Sequence, residues 1–239
     1  MSAAPTEVAK NPIRLQTLEP YLFARDGVEV IDPRELLRQQ GVDKIGQLVN
    51  TLSPVQGGVQ EAPKGAIQDP AGSAIGSGHR PAGAGASGAI YQKFTDLFPI
   101  PSIKPRSAIF NSSTGPGRRV LHTYSPRLGG SPGQSEDRRR AIEDLANAYA
   151  NALVAFRDRA AELGVDATML NLVPVSAGIF CDRFTDTTLD HLHPSYTMCA
   201  IALALGWWRG SVGSLPAATI YFYNPEVFKA ATNVLAGLS

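Results

Sequence analysis

Two short segments made almost entirely of small residues are the parts of this sequence best suited to chemistry. Residues 83–90 read GAGASGAI, and residues 176–180 read SAGIF. Small side chains let several backbone N–H groups approach an anion, and the N-terminus of a helix adds positive potential. The first segment leads into AIYQKFTDLF, which predicts a helix beginning near Ala89. Together the two segments predict a phosphate-binding site, although the first alone is more typical of a flexible surface loop.

The elements that must hold these segments alternate between strands and helices. Short apolar runs predict strands, and apolar residues at three- and four-residue intervals predict helices. This alternation predicts an α/β fold with helices on both faces of a mixed sheet, in which ligands bind where loops leave the carboxyl ends of strands. The predicted strands cover residues 28–31, 47–55, 64–69, 108–111, 120–124, 166–175 and 219–223, and the predicted helices cover residues 33–40, 89–98, 136–163, 194–207 and a segment from 225.

The composition limits the classes of function. A chain of 239 residues fits one large domain or one domain with an extension. With 18% charged residues and a net charge of +1, no basic face for nucleic acid is expected. No run reaches the ~20 apolar residues of a membrane span, and the first ten residues lack the pattern of a signal peptide. We therefore expect a cytoplasmic protein without nucleic-acid or membrane partners, with specialised export left open.

The cysteines and histidines do not form a pattern typical of a metal site. Cys181 and Cys199 are the only cysteines, so neither a disulfide framework nor a four-thiolate zinc site can form. His191 and His193 lie two residues apart, which does not by itself specify a tetrahedral zinc site. His122 lies inside a predicted strand and is interpreted as a core histidine with its hydrogen bonds satisfied. No metal and no cofactor are predicted.

Five segments carry, in order, a resemblance to the macrodomain family, whose members bind ADP-ribose. VQGGVQEAPKGAIQDPAG resembles the family's first strand pair, and GAGASGAI resembles its glycine-rich first loop. AIFNSSTGPGRRVLHTYSP is similar to the strand pair that ends in Ile-His-Thr-x-Gly-Pro, and VPVSAGIFCD is similar to the second phosphate loop; YFYNPEVF then resembles the terminal strand and helix. The resemblance covers most of residues 49–239 and leaves residues 1–48 as an N-terminal extension. It implies a three-layer α/β/α macrodomain-like fold with a central mixed sheet.

The resemblance also implies how ADP-ribose would be held. The two loops would bind the diphosphate, Phe180 matches an aromatic residue that packs against the distal ribose, and Tyr223 and Asn224 match the strand end beside adenine. The implied ligand-binding residues are Gly83, Ala84, Gly85, Ala86, Ser87, Gly88, Ala89, Ile90, Ser176, Ala177, Gly178, Ile179, Phe180, Tyr223 and Asn224.

Several positions depart from the family pattern. Gly58 stands where the family has an Asp that reads the adenine amino group. Gln60 or Glu61 could accept that hydrogen bond instead, although the preferred interpretation is that both are solvated loop residues. Ser87 stands where many hydrolases of the family carry an Asp. Asp69 is the first candidate for activating water or orienting the ribose hydroxyls, because glycosidic cleavage develops oxocarbenium character. The alternative for Asp69 is the capping of a turn.

The implied catalytic residues are therefore Asp69 and Ser87, with His79 and Arg80 in an apparent insertion before the first loop. Asp182 is interpreted as part of an exposed ion pair with the neighbouring Arg183. We expect the chain to act on ADP-ribose or an ADP-ribosylated substrate and to hydrolyse ADP-ribose from modified proteins or small molecules. Two alternatives stay open: a reader of ADP-ribose without catalysis, and a binder of another nucleotide metabolite.

Overall fold

The computed structural model describes ten stretches of the chain. They cover residues 12–15, 22–25, 28–31, 33–42, 46–47, 50–72, 84–100, 102–130, 135–214 and 216–238.

The centre of the molecule is a six-stranded mixed sheet. Its strands are β3 (Leu52–Gln56), β4 (Ala66–Ala71), β5 (Ala108–Phe110), β6 (Val120–Tyr124), β7 (Met169–Leu172) and β10 (Ala217–Phe222). The order across the sheet is β3-β10-β7-β4-β6-β5. Every neighbouring pair is parallel except β5 and β6, which are antiparallel. The carboxyl ends of five strands therefore meet at one edge of the sheet.

Five helices of at least seven residues lie in the described part of the chain. They are α1 (Pro33–Gln39), α2 (Gly85–Lys93), α3 (Ser135–Arg159), α4 (Pro194–Ser211) and α5 (Pro225–Leu238). Two further pairs of short strands lie outside the main sheet: β1 (Leu22–Arg25) with β2 (Val28–Ile31), and β8 (Thr185–Asp186) with β9 (His191–Leu192).

The two faces of the sheet bury two separate cores because side chains alternate along each strand. In β4, Ala66 joins the larger core with α1, α3, α4 and α5, whereas Ile67 joins the smaller core with α2. Helix α4 is apolar on nearly all sides and accordingly has thirteen buried residues. The predicted three-layer α/β/α fold with a mixed sheet is confirmed.

Several predicted boundaries were wrong. The strands predicted over residues 47–55, 64–69 and 166–175 occupy Leu52–Gln56, Ala66–Ala71 and Met169–Leu172. The helix predicted to residue 163 ends at Arg159 and continues as a turn to Gly164, which has φ +65. Helix α4 extends four residues past the predicted end at residue 207, to Ser211. These ends depend on which neighbouring strand or helix supplies partners, and local sequence does not contain that information.

The described residues before position 48 contact the rest of the chain. Ile13 N–H donates to Asn147 Oδ1 over 3.0 Å, and Asn147 Nδ2 donates back to the Ile13 carbonyl over 3.0 Å. Leu15 N–H donates to Glu143 Oε2 over 3.0 Å. Leu36 of α1 is 1% exposed within the larger core. The division into an extension over residues 1–48 and a domain over 49–239 stays a prediction.

Among the described residues, no helix combines the length and the apolarity needed to cross a membrane.

Candidate functional site

Both small-residue loops leave the same edge of the sheet. The first follows β4 and leads into α2, and the second follows β7, which is the neighbour of β4. The end of β10, at residues 223 and 224, lies on the other side of β7. The parallel register of these three strands places all three segments at their carboxyl ends. This is where α/β proteins bind ligands.

The first loop enters α2 earlier than the sequence indicates. The helix begins at Gly85 rather than near Ala89, so most of the predicted loop forms its first turns. Ala84 is the N-cap residue and provides no side-chain hydrogen bond, while Gly85 has φ +59, which a side chain would strain. The first N–H groups of α2 therefore lack a side-chain cap and lie at the positive end of the helix. Gly83, His79 and Arg80 lie outside the described residues.

The base of the second loop is fixed by hydrogen bonds to neighbouring residues, and its tip is exposed. Ser176 has φ +57, is 3% exposed, and donates from Oγ to the Pro126 carbonyl over 2.5 Å. Leu192 N–H donates to the Ala177 carbonyl over 2.8 Å. Ile179 at the tip is 79% exposed. Hydrogen bonds from neighbouring residues to the carbonyl groups of the loop thus fix its shape, and an exposed apolar side chain stands at its tip.

Phe180 connects the two loops. Its ring lies against Gly72, the last described residue before the first loop, and a Cβ on Gly72 would lie 2.9 Å from the ring Cζ atom. The Phe180 carbonyl also accepts from Leu128 N–H over 2.9 Å. Any side chain at position 72 would displace the aromatic ring from this place.

Asp69 lies inside β4 rather than at a strand end, and its side chain is fully buried. Its Oδ1 accepts from Ser87 Oγ over 2.6 Å, and its Oδ2 accepts from Tyr91 OH over 2.8 Å. Ser87 and Tyr91 are four residues apart on α2 and so project from the same face of the helix toward the sheet. Burial, with the Asp69 charge adding to it, raises the pKa of Tyr91, which therefore stays a proton donor.

The second donor to Asp69 Oδ2 is His122, which faces Asp69 across the β4–β6 pair. The Asn111 amide fixes the histidine tautomer: its Oδ1 accepts from Ser113 N–H over 2.8 Å, and its Nδ2 donates to the Leu97 carbonyl over 2.9 Å. Asn111 Nδ2 therefore also faces His122 Nε2, at 3.0 Å, as a donor. The other ring nitrogen, Nδ1, then carries the proton and donates to Asp69 over 2.7 Å. His122 is 0% exposed and satisfied at both nitrogens, as interpreted from the sequence.

In the part of the chain that the structure describes, this buried network of Asp69, Ser87, Tyr91, His122 and Asn111 reaches the loop edge through Ser87. Asp69 and His122 are 0% exposed, whereas Ser87 is half-buried in the first turn of α2. The sequence motifs indicated Asp69 and Ser87, whereas Tyr91 and Asn111 had no predicted role. The four-residue spacing of Ser87 and Tyr91 was the available signal.

The end of β10 carries two of the predicted ligand residues. Tyr223 is 86% exposed. Asn224 Oδ1 accepts from the N–H groups of Glu226 and Val227, over 2.8 and 3.3 Å, and so caps α5. The side-chain oxygen of Asn224 therefore already accepts hydrogen bonds from the first turn of α5. A contact of Asn224 with a ligand stays a prediction.

Gln60 and Glu61 are the two residues that could accept the hydrogen bond from adenine in place of the Asp that is missing at Gly58. Glu61 forms an ion pair with Lys93 over 3.1 Å, and both side chains are largely exposed. Gln60 instead folds back over Gly58, and its Oε1 is buried without a hydrogen-bond partner among the described residues.

Asp182 pairs with a different arginine from the predicted one. Its Oδ2 lies 3.8 Å from Arg127 Nε, with 53% and 72% of the two side chains exposed. A pair this exposed and this long contributes little stability. Over the described part of the chain, no three His, Cys, Asp or Glu side chains are grouped so that they could hold a metal ion. Cys181 and Cys199 are buried free thiols.

Comparisons with known proteins bear on the fold. No protein-family model matches the chain, and no curated protein matches it either. A Trypanosoma brucei macrodomain in complex with ADP-ribose is 16% identical over 80% of this chain and 72% of that chain, with a TM-score of 0.53. The same macrodomain in complex with ADP is 15% identical over 81% and 72%, also with a TM-score of 0.53. An alphavirus P23pro-zbd structure is 18% identical over 77% of this chain, with a TM-score of 0.54, and the match spans 23% of that longer chain.

The chain therefore has the macrodomain fold. The resemblance drawn from the order of the sequence motifs is confirmed at the level of the fold.

Proposed function

We propose that this chain binds ADP-ribose at the carboxyl edge of its sheet, with the diphosphate between residues 84–90 and 176–180. The observation that carries the proposal is the placement of the uncapped N-terminus of α2 beside a second pinned loop, on neighbouring strands. Such a pair of backbone-rich segments suits a diphosphate, whose two charges need several N–H donors. A fold of the same class in complex with ADP-ribose supports this choice of ligand.

Side chains that suit the distal ribose and the adenine base of ADP-ribose lie on either side of the two loops. Phe180 and Ser87 stand beside the position proposed for the distal ribose. Tyr223 offers an exposed ring for the base, since bases stack on aromatic side chains. Ile179 and Tyr223 are two of the three exposed large apolar side chains among the described residues, and both lie at this edge. Exposed apolar groups concentrated at one place indicate a binding surface.

A charge substitution in the first turn of α2 tests the diphosphate site. Ala86→Glu places a carboxylate among the N–H groups that would hold the diphosphate, whereas the fold tolerates an acidic residue at a helix N-terminus. Calorimetric titration with ADP-ribose should show binding to the unchanged protein and a loss of at least about tenfold in the variant. Gln92→Glu, an exposed position in the same helix, is the matched control and should bind as the unchanged protein does. Equal affinity of all three proteins would argue against this diphosphate site.

Hydrolysis of an ADP-ribosyl bond is a second candidate, favoured by the 2.6 Å contact between Ser87 and Asp69. We propose that Ser87 contacts the water or the distal ribose and passes a proton to Asp69. Water oxygen would attack the anomeric carbon, and the bond from that carbon to the modified group would break with its electron pair leaving on that group. One water proton would pass to Ser87 Oγ as the Ser87 proton passes to Asp69, and the other would stay on the new anomeric hydroxyl. Because Asp69 is fully buried, its part in the reaction would run through Ser87.

Release of ADP-ribose from a mono-ADP-ribosylated protein tests this candidate. Ser87→Ala should lower single-turnover release about 100-fold or more, because the proton path is lost. Ser112→Ala, an exposed serine beyond β5, is the control and should keep full turnover. If the unchanged protein binds ADP-ribose but releases none, the chain is a reader. If it binds ADP, AMP or NAD but not ADP-ribose, it serves another nucleotide.

A further inference from the structure

A cavity of about 570 Å³ lies between segment 12–15, residues 40–42 after α1, and the last turns of α4. Cavities of this volume commonly hold ligands. Its lining on α4 runs from Leu203 to Gly210, about 14–24 Å along the helix from Pro194. Because α4 begins beside the second loop, the cavity is separate from the proposed ADP-ribose site.

The backbone of segment 12–15 has the alternating bonds of an edge strand. Side chains of α3 bond to the N–H and carbonyl groups of both Ile13 and Leu15, over 3.0–3.2 Å. Within the part of the chain that the structure describes, neither the N–H nor the carbonyl group of Arg14 has a hydrogen bond. Successive residues of an extended chain direct these groups to opposite sides, so Arg14 directs its pair away from α3.

The side chains of this segment alternate as well. Ile13 and Leu15 are 7% exposed within the larger core, whereas 75% of the Arg14 side chain is exposed. No described residue of α3 lines the cavity, so the cavity lies along the edge that carries the unbonded Arg14 groups. An unpaired strand edge is a template for pairing with another extended chain.

The wall of the cavity on α4 is apolar and leaves room for side chains. Leu203 and Trp207 are one helical turn apart and line it together. A Cβ placed on Gly210 would have no other atom within 4 Å. A strand added beside Arg14 would place every second side chain on the face of Ile13 and Leu15, toward this wall.

The charges at the cavity are positive. Arg14 and Arg209 line it, and no described lining residue carries a carboxylate. Arg14 pairs with Glu143 over 3.2 Å, but Glu143 also pairs with Arg139 over 2.7 Å and is thus shared between two arginines. Arg209 is exposed, and its Nη1 donates to the neutral amide of Gln47 over 3.1 Å. Charge complementarity therefore favours an acidic partner.

We infer that this cavity binds an extended acidic segment of a partner protein, which adds as a strand to the edge at Arg14. Acidic side chains lie on the face that carries the Arg14 and Arg209 guanidinium groups, and apolar side chains alternate with them and pack against Leu203 and Trp207. Main-chain hydrogen bonds supply affinity in this mode of recognition, and alternate side chains supply specificity. A small anion would use the arginines and leave the Arg14 backbone unpaired. The inference is independent of the proposed binding of ADP-ribose.

Fluorescence anisotropy with labelled synthetic peptides tests the inference on the ligand side. The peptide EVEVE, which alternates acidic and β-branched residues, should bind the unchanged protein saturably at low salt. The peptide KVKVK has the same backbone with the charge reversed and should bind at least about tenfold more weakly. An EVEVE peptide methylated at its internal backbone nitrogens keeps the charge but loses its N–H donors, and should also bind at least about tenfold more weakly.

Two protein variants test the place of binding. Gly210→Leu fills the open space beside Trp207 and should weaken EVEVE at least about tenfold; Gly237→Leu, at an equally open position in α5, is its control and should bind as the unchanged protein does. Arg209→Glu should weaken EVEVE about fivefold or more, whereas Arg118→Glu, at an exposed position before β6, should not. Thermal unfolding of each variant checks that it is folded.

The inference is overturned if EVEVE does not bind, if the methylated peptide binds equally well, or if Gly210→Leu binds EVEVE as Gly237→Leu does. Sedimentation that shows a dimer, lost in Gly210→Leu, would mean that a second copy of this chain occupies the cavity, and would also overturn it. ADP-ribose affinity should be the same with and without EVEVE, so failure at one site leaves the other proposal standing.

Discussion

Removing the Tyr91 hydroxyl should destabilise the fold through Asp69. In Tyr91→Phe the ring stays, at a position that is 7% exposed and packed edge-on against Phe98 with centroids 5.8 Å apart. The change removes the hydroxyl and with it the 2.8 Å hydrogen bond to Asp69 Oδ2. Asp69 is fully buried, and no water replaces the missing donor without a change in packing.

The expected loss in the free energy of unfolding follows from the hydrogen bond that Tyr91→Phe removes. A hydrogen bond contributes about 1 kcal/mol to stability, and leaving a buried acceptor short of a donor costs about 1–3 kcal/mol. Asp69 keeps Ser87 on Oδ1 and His122 on Oδ2. The expected loss in the free energy of unfolding is therefore about 2 kcal/mol. For a chain of this size that lowers the unfolding midpoint by about 4–8 °C.

Urea and thermal unfolding of three proteins make the test. Tyr124→Phe is the control, because Tyr124 ends β6, is half-buried, and makes no side-chain hydrogen bond among the described residues. It should stay within about 0.5 kcal/mol of the unchanged protein. A Tyr91→Phe protein as stable as the Tyr124→Phe protein would refute the view that the Tyr91 hydroxyl stabilises the buried Asp69 side chain.

Two further predictions concern other parts of the fold. Burial lowers the pKa of His193, whose Nδ1 accepts from Ser195 N–H at the start of α4. The folded state therefore resists protonation of His193, and the free energy of unfolding should fall as the pH drops below about 6.5. His193→Asn keeps an N-cap acceptor. Chemical denaturation between pH 5 and 8 should therefore show that the free energy of unfolding falls less at acid pH in this variant than in the unchanged protein. An equal fall in both proteins would contradict His193 as the cause. Gly65→Ala should cost about 3 kcal/mol or more, because Gly65 has φ +78 and the new Cβ would collide with the Met169 backbone. Gly210→Ala, in open space within α4, should instead leave urea stability unchanged or raise it by about 0.5–1 kcal/mol; similar losses in both variants would contradict the steric argument.

Local patterns predicted the layers and the positions of the loops. The apolar spacing along α3 and the short apolar strands specify which faces must be buried, and burial of those faces on both sides of a sheet leads to three layers. The loops could be placed at the carboxyl edge because parallel strands in such folds end together. One local signal went unused: Asn224 before Pro225 is typical of a helix N-cap, and Asn224 does cap α5.

The sequence by itself determined the small-residue composition of the two loops, and with it how closely a ligand can approach their backbone. Only the tertiary structure decided the surroundings of Asp69 and Gln60. The sequence placed Asp69 at a strand end, whereas the pairing of β4 with β6 and the packing of α2 enclose it with His122 and Tyr91. Gln60 is a polar residue in a short turn, and its amide becomes buried only by folding back over Gly58. Burial and hydrogen-bond partners come from residues distant in sequence, as with Asp69 and His122, or from how a side chain packs, and a local pattern specifies neither.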